Sequence, residues 1–309
     1  MQRLREDGDE VKVLTRSELA ADKVRRAGAV PVRGDITRPG AWQEELSSAD
    51  IIFHGAGYVD DWGPRREFFR VNVGGTRNVL EALRGWRGHF IHLSSIAVHG
   101  FRPGTYTEDS PATRVRHPYC DSKSVAEGLV ESAIAGGLKA AIVRISGVYG
   151  PGDPHFLNRF LKQARTGVVY VVGKGNQPTN LIYIEDVIEG LRLIAHREAE
   201  TGKRYILSDP SAPDVLGLVT LAIRALDLRV RILRVPMWLA YPIAAWQEVR
   251  GHLTRSHPAF TRYAVISAGH ACSFSMEATK RSLSWSPRVD IREGIARTIA
   301  WYKTATSLS

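Results

Sequence analysis

The chain has 309 residues, 44% of them hydrophobic, so it can bury a large core as one domain, with or without an added lobe. Its net charge of +10 comes from 42 basic and 32 acidic residues, spread along the whole chain without a basic stripe interleaved with aromatics. This distribution argues against a nucleic-acid partner and indicates a solvated basic surface.

The two cysteines, Cys120 and Cys272, lie far apart in a chain that needs no disulfide, which is typical of a reducing compartment. The charged N-terminus contains no apolar segment of the secretory type. We therefore expect a cytoplasmic protein.

The first half of the chain alternates short β-rich runs with helical patterns. We predict strands at residues 11–14, 30–33, 50–54, 90–93 and 141–144, and helices at about 17–28, 68–83 and 119–135. Ser17 is the expected N-cap of the first helix. Continuous apolar strands separated by helices indicate an α/β fold with a parallel sheet covered on both faces.

From about residue 151 the alternation becomes irregular. Helices are predicted at about 215–226, 237–253 and 291–303, in a smaller α+β lobe with a few strands that return to the main sheet. The most apolar run, 235–246, is about half the length that spans a bilayer and contains Pro236 and Pro242, so we expect no transmembrane segment. A core helix is the favoured interpretation of this run, and a contact with a membrane surface is the alternative.

Tyr119 and Lys123 are four positions apart on a predicted helix and therefore share one face. A free phenol has a pKa of about 10 and exchanges protons poorly at neutral pH. An ammonium one turn away, with the ribose of a bound cofactor between the two, would lower that pKa. The pair is a candidate acid/base, although Tyr119 could also be an ordinary aromatic in a first helical turn.

Six segments resemble, in the same order, those of one family. They are residues 53–57 (FHGAG), 71–78 (VNVGGTRN), 93–100 (LSSIAVHG), 118–123 (PYCDSK), 144–153 (RISGVYGPGD) and 183–187 (YIEDV). They resemble the extended short-chain dehydrogenase/reductases of the NAD-dependent epimerase/dehydratase superfamily. Residues 61–64, 258–262, 274–276 and 287–289 are similar to its 3β-hydroxysteroid and sterol dehydrogenase-like branch. Ser284 and Trp285 depart from that branch, which usually has a glycine and an aromatic there.

The resemblance implies a Rossmann-like doubly wound sheet, with residues 1–150 as the NAD(P)-binding domain and 151–309 mainly as the substrate-binding lobe. Tyr119 would be the general acid/base, and Lys123 would bind the nicotinamide ribose. Ser95 would stabilise negative charge on the substrate oxygen, with Ser94 as the competing candidate. Asn72 would support a proton relay or simply pack a helix.

The resemblance also implies a set of cofactor contacts and no metal site. The expected contacts are Arg16, Asp35, Ile36, Gly55, Ala56, Gly57, Lys123, Ile145 and Val148. Arg16 follows the first strand, where an acidic residue would favour NAD by binding the ribose 2′-hydroxyl. An arginine there tolerates or prefers a 2′-phosphate, so NADP is favoured over NAD, with a solvated arginine as the alternative.

The glycine-rich turn that binds the pyrophosphate in this family is absent from the sequence. We expect the displayed sequence to begin at an internal methionine and to lack roughly 20 residues, judged from a βαβ unit of about 30 residues. Residues 3–5 would then be the end of the first helix. The sheet would lack its first strand and contain a gap beside the strand at 11–14.

Three functions remain open at this point. The first is an NAD(P)-dependent oxidoreductase that interconverts a secondary alcohol and a ketone on a bulky, sterol-like small molecule. The second is a nucleotide-sugar epimerase or dehydratase, which is disfavoured because residues 179–183 lack the arginine usual in those enzymes. The third is a non-catalytic truncated relative, favoured if the protein starts at Met1. The resemblance also implies a homodimer.

Overall fold

Strands and helices alternate through the first half of the chain, at close to the predicted positions. The computed structural model describes residues 1–113, 115–153, 160–161, 163–197 and 200–307. The helices are α1 (Gln2–Glu6), α2 (Glu18–Arg26), α3 (Arg65–Phe68), α4 (Gly75–Ala82), α5 (Pro118–Ala135), α6 (Ile184–Ala195), α7 (Val215–Ala225), α8 (Met237–Thr254), α9 (Arg262–Gly269), α10 (Glu277–Leu283) and α11 (Ile291–Ser307). The strands are β1 (Lys12–Thr15), β2 (Val30–Arg33), β3 (Ile51–His54), β4 (His89–Ser95), β5 (Gly104–Tyr106), β6 (Ala140–Ile145), β7 (Gly147–Tyr149), β8 (Val168–Val172), β9 (Leu181–Tyr183), β10 (Arg204–Leu207), β11 (Arg231–Val235) and β12 (Cys272–Phe274).

The central layer consists of two parallel sheets rather than one. Strands β10, β6, β4 and β3 form a four-stranded sheet in that order, and β1 pairs with β2 alone. Leu14 of β1 and Val32 of β2 pack against the same hydrophobic cluster as Ile52 of β3. Because β1 and β3 share this cluster but do not pair in the described residues, the predicted gap in the sheet is confirmed.

Helices cover both faces of the four-stranded sheet, as expected for a doubly wound fold. On one face, Phe90 and Ile142 pack in a cluster with Val79 of α4 and Val130 of α5. On the other face, Ile91, Ala141 and Val143 belong to a cluster that contains Val187 of α6 and Leu283 of α10. The Rossmann-like α/β fold is therefore confirmed.

The second half contributes one strand to the main sheet and several small pairs. β10 returns to pair with β6, as predicted, while β7 pairs with β9, β5 with β12 and β8 with β11. The largest hydrophobic cluster combines residues such as Tyr119 and Tyr205 from the two halves, and the boundary at residue 150 stays a prediction. Within the described residues, no helix is both long and apolar enough to cross a bilayer.

The helix predicted at 68–83 is interrupted by a π-helical turn. The chain forms α3, then a π-helical segment at Phe69–Gly74, and then α4. Such insertions are rare and occur often at functional sites. At the start of α4, a Cβ on Gly75 would lie 2.4 Å from Ile36, so only glycine allows this close approach.

A buried ion pair attaches α5 to the sheet. Arg144 of β6 lies 3.0 Å from Glu127 of α5, and their side chains are 1% and 2% exposed. Ser94 donates a hydrogen bond to the same carboxylate, and Arg144 also donates to the carbonyl oxygens of Glu108 and Ser110. Every charged group here has partners, which offsets the cost of burying it.

We expect Glu127→Ala to destabilise the protein by about 3–5 kcal/mol, because it leaves the Arg144 guanidinium buried and unpaired. Glu131→Ala is the matched control, since Glu131 of α5 pairs with Arg204 of β10 at 2.6 Å with side chains 42% and 34% exposed. Removing that exposed pair should cost less than about 1 kcal/mol. Urea unfolding of both variants measures the difference, and equal losses would contradict the role assigned to the buried pair.

Candidate active site

The predicted site residues lie along one edge of the central layer. Ser95 ends β4 and pairs in register with Ile145, which ends β6, and residues 55–57 follow β3. Arg16 and Asp35 follow β1 and β2. Because parallel strands place their carboxyl ends on the same side, this edge is where α/β folds bind ligands.

Tyr119 lies beside Ser95 at the start of α5. Pro118 occupies the first position of the helix, and Tyr119 is buried in its first turn with an exposure of 7%. The Ser95 hydroxyl lies close enough to the Tyr119 phenol to act on its pKa. Ser94, in contrast, bonds to Glu127 on the α5 side of the sheet, so Ser95 is the serine that interacts with Tyr119.

Burial shifts the pKa values of Tyr119 and Lys123 in opposite directions. It raises the pKa of Tyr119 to about 12, against the opposite effect of the nearby Ser95 hydroxyl. It lowers the pKa of Lys123 to about 8, and the charge of Glu127 acts in the other direction. The lowered pKa that we expected for Tyr119 beside a bound ribose is thus not present in the chain by itself, where the phenol is protonated at neutral pH.

The Lys123 ammonium donates a hydrogen bond of 2.6 Å to the carbonyl oxygen of Leu93 in β4. His54 and His92 are buried near it, and burial together with the charge of Lys123 lowers both pKa values, that of His54 to about 3. Thr76 donates its hydroxyl proton to the Asn72 carbonyl, so His54 Nε2, 2.9 Å away, must be the donor to Thr76. Because the imidazoles of His54 and His92 are neutral, they do not repel the Lys123 ammonium.

Asn72 connects the loop after β3 to α5. Its amide donates to the hydroxyl of Ser122 at 2.8 Å and to the carbonyl of Tyr58 at 3.1 Å, and its Oδ1 accepts from the Tyr58 amide at 2.6 Å. A Cβ on Gly57 would lie 3.1 Å from Asn72 Oδ1, which requires a small residue there. These contacts engage Asn72 within the protein and favour the packing alternative over a proton relay.

The predicted adenosine-side residues lie together at the ends of β1 and β2. The Asp35 carboxylate accepts a hydrogen bond from the amide of Thr37, which, with the charge of the exposed Arg16 nearby, lowers the pKa of Asp35. Ile36 is buried against Gly75. Arg16 and Asp35 are thus close to each other, as a binding site for a ribose requires.

The residues at the nicotinamide side suit a cofactor in two respects. Residues 55–57 expose their backbone at the end of β3, and Val148 is 38% exposed beyond the half-buried Ile145. The Ser146 hydroxyl between them is buried without a hydrogen-bond partner in the described residues. At the pyrophosphate position, the described residues supply no glycine-rich turn. The described residues therefore fit the adenosine and nicotinamide ends of an NAD(P) molecule but not its pyrophosphate.

A cavity of about 400 Å³ lies next to Tyr119. Phe68 and Tyr263 line it, and each ring centroid is 6.2 Å from that of Tyr119. Trp62 and Phe101 add apolar walls. Pockets of this size and composition bind small organic ligands.

Sequence reasoning missed the residues that assemble this cavity, although it flagged the segments that contain them. The hydroxyl of Thr261 donates to the buried Asp61 carboxylate at 2.9 Å, which joins segment 258–262 to segment 61–64. His257 Nε2 lies 3.1 Å from Asp60 and 3.2 Å from Asp61. The sequence feature that could have indicated this contact is the resemblance of both segments to the same branch, the 3β-hydroxysteroid and sterol dehydrogenase-like enzymes.

Asp186 has a role that the sequence did not suggest. Its carboxylate accepts hydrogen bonds from the backbone amides of Arg288 and Val289 at 2.9 and 3.2 Å. It therefore attaches the segment before α11 to the first turn of α6. No sequence pattern within either segment encodes this contact.

The doubly wound fold, the family match and the named relatives together show an enzyme of the short-chain dehydrogenase/reductase type. Residues 1–208 match the NAD dependent epimerase/dehydratase family, and the chain belongs to this family. The family assignment made from the sequence motifs is confirmed. The homodimer and the cytoplasmic location stay predictions.

Named relatives include reductases and dehydrogenases. The chain is 28% identical to the 2-alkyl-3-oxoalkanoate reductase of Shewanella oneidensis over 87% of this chain and 74% of that protein. It is 28% identical to human 3 beta-hydroxysteroid dehydrogenase type 7 over 89% and 82% of the two chains. The solved structure of MoeE5 in complex with UDP-glucose and NAD shares the fold, with a TM-score of 0.77, 23% identity and coverage of 99% of this chain and 94% of that one.

We expect Lys123→Met to change how stability depends on pH. In the folded protein the pKa of Lys123 is lowered from 10.5 to about 8, so between these values the unfolded chain binds more protons. The free energy of unfolding of the wild type should therefore rise with pH in this window, by up to about 1.4 kcal/mol per unit, and the variant should lack this contribution. Urea unfolding at about pH 7 and about pH 9.5 tests this, and identical slopes in both proteins would contradict the buried ammonium.

Proposed function

We propose that the protein is an NAD(P)-dependent oxidoreductase that interconverts a secondary alcohol and a ketone on a bulky, largely apolar, sterol-like substrate. The observation that carries the proposal is the position of Tyr119 and Ser95 close together at the carboxyl end of β4, beside an aromatic cavity. The names of the two relatives, one for an oxoalkanoate and one for a hydroxysteroid, support the same chemistry.

In the reduction direction, Ser95, Tyr119 and Lys123 would each have a separate role. Ser95 would donate a hydrogen bond to the substrate carbonyl oxygen, and Tyr119 would transfer its proton to that oxygen as negative charge develops. Lys123, next to β4, would bind the nicotinamide ribose and stabilise the resulting phenolate. The nicotinamide, when bound, supplies or accepts the hydride.

The raised pKa of Tyr119 supports a protonated phenol in the protein before the cofactor binds. Burial favours the neutral form of any acid, and this phenol has no charged hydrogen-bond partner in the described residues. A cation brought close to the phenol by a bound ribose would act in the opposite direction. The proton would therefore be retained until the ternary complex forms.

The cavity supports an apolar substrate rather than a nucleotide sugar. Its walls include the rings of five Trp, Phe and Tyr side chains. Of the two arginines that line it, Arg262 is engaged by Glu248 at 2.7 Å and Arg116 is exposed. In the segment where nucleotide-sugar enzymes usually carry an arginine, Thr179 and Asn180 donate to backbone carbonyls of Pro213 and Cys272. These side chains are engaged within the protein, which argues against a diphosphate ligand at this position.

Tyr119→Phe should lower turnover by about 10²- to 10⁴-fold, because it removes the proton donor. The assay follows the nicotinamide absorbance with panels of 3-ketosteroids, long-chain 3-oxoalkanoates and UDP-sugars. Tyr106→Phe is the matched control, since the Tyr106 hydroxyl bonds to the carbonyl of Arg102 away from this site.

Cofactor affinity of both variants, measured by NADPH fluorescence, should equal that of the wild type. Retained turnover in Tyr119→Phe would contradict the assigned chemistry. Turnover of UDP-sugars alone would contradict the assigned substrate class.

We further propose NADP as the favoured cofactor, on the position of Arg16 after β1 and beside Asp35. Arg16→Ala should weaken NADPH binding by about 10-fold and leave NADH binding nearly unchanged, because the 2′-phosphate is the only difference between them. Fluorescence titration with each nucleotide measures both constants. Equal losses for the two nucleotides, or no loss for either, would contradict this preference.

A further inference from the structure

Helix α8 carries a stripe of exposed apolar side chains. At 100° per residue, positions 238, 242, 246, 249 and 253 lie within about 80° of one another. Trp238 is 76% exposed, Trp246 63%, Val249 59% and Leu253 80%, and Pro242 is exposed as well. Two tryptophans this exposed on one helical face are not explained by packing within the chain.

The opposite side of α8 is docked onto the protein. Ala240 and Ala244 are buried in a cluster with Val265 of α9, and a Cβ on Gly251 would lie 3.0 Å from Pro258. The core helix predicted for this run is therefore only half correct. The apolar pattern continues around the helix because it serves a second surface that faces outward.

The segment of the chain that carries the stripe is rich in arginine. Between residues 228 and 255 the chain has five arginines and one acidic residue. That acid, Glu248, pairs with Arg262 at 2.7 Å. The guanidinium of Arg250 lies over the Trp246 ring, 5.6 Å from its centroid, so a cation directly adjoins the stripe.

We propose that this stripe binds the surface of a membrane that contains anionic lipids. Tryptophan side chains favour the interface between headgroups and acyl chains, and arginines beside them attract anionic headgroups. A second copy of the chain is a poorer occupant. A two-fold contact would bring the stripe and its arginines against themselves, which opposes like charges.

The same helix also lines the cavity beside Tyr119. Tyr241, Glu248 and His252 contribute to the cavity wall from α8. A helix is about 10 Å across, so the bilayer surface would lie about that distance from the cavity. The membrane contact does not depend on the proposed reaction, since it rests on the outer face of α8 alone.

Vesicle flotation tests the proposal with the full chain. The wild type should float with vesicles of phosphatidylcholine containing 30% phosphatidylglycerol, and at least tenfold less should float with phosphatidylcholine alone or in 1 M salt. The double variant Trp238→Gln/Leu253→Gln should lose at least tenfold in flotation. Leu19→Gln is the matched control, because Leu19 is 69% exposed on α2 and its loss should change nothing.

A second variant, Arg234→Glu/Arg255→Glu, reverses the charge of two of the five arginines and leaves the side chains of the stripe unchanged. It should also reduce binding to anionic vesicles tenfold. Circular dichroism establishes that all variants remain folded. The proposal is wrong if the wild type does not float with anionic vesicles or if the Trp238→Gln/Leu253→Gln protein floats equally well. It is also wrong if light scattering shows a dimer that this variant converts to a monomer, since the stripe would then bind a second copy.

Discussion

The placement of α5 depends on charges that the protein has removed from water. Glu127 and Arg144 are almost inaccessible, and the carboxylate also accepts the Ser94 hydroxyl. Such a pair is favourable only when every hydrogen bond is formed at once, because each unpaired charge would cost several kcal/mol. α5 therefore has essentially one position on the sheet, and Tyr119 and Lys123 are fixed with it.

The same burial prepares the two groups for their proposed chemistry. Removing water disfavours the charged forms of both groups, a phenolate and an ammonium. It therefore raises the pKa of Tyr119, which holds its proton more tightly, and lowers the pKa of Lys123, which releases its proton more easily. The nearby His54 and His92 stay neutral for the same reason. One physical cause, desolvation at the carboxyl ends of β3 and β4, thus sets the protonation of the whole site.

Local patterns predicted five strands of the first half and most helices, because alternation and capping leave a trace in neighbouring residues, whereas the gap in the sheet was predicted from the missing glycine-rich turn. Ser17, for instance, caps α2 as expected. The π-helical turn at Phe69–Gly74 has no such trace, since it shifts the hydrogen bonds without changing the helical pattern. The contact of Asp186 with Arg288 spans about a hundred residues, and the outward stripe of α8 has the composition of a core helix, so only the three-dimensional structure distinguishes them.

The β1–β2 pair carries one part of the candidate site, and the four-stranded sheet carries the other. In the described residues no strand pairing joins the β1–β2 pair to the four-stranded sheet. The two parts are connected by side-chain packing around Leu14 and Ile52. Cooperative unfolding units follow such boundaries, and the part with fewer hydrogen bonds opens at lower free energy. Arg16 and Asp35 belong to the part around β1 and β2, and Ser95 belongs to the four-stranded sheet. A dinucleotide that contacts both parts would therefore link their stabilities. Its binding to the folded state would add to the stability of both parts.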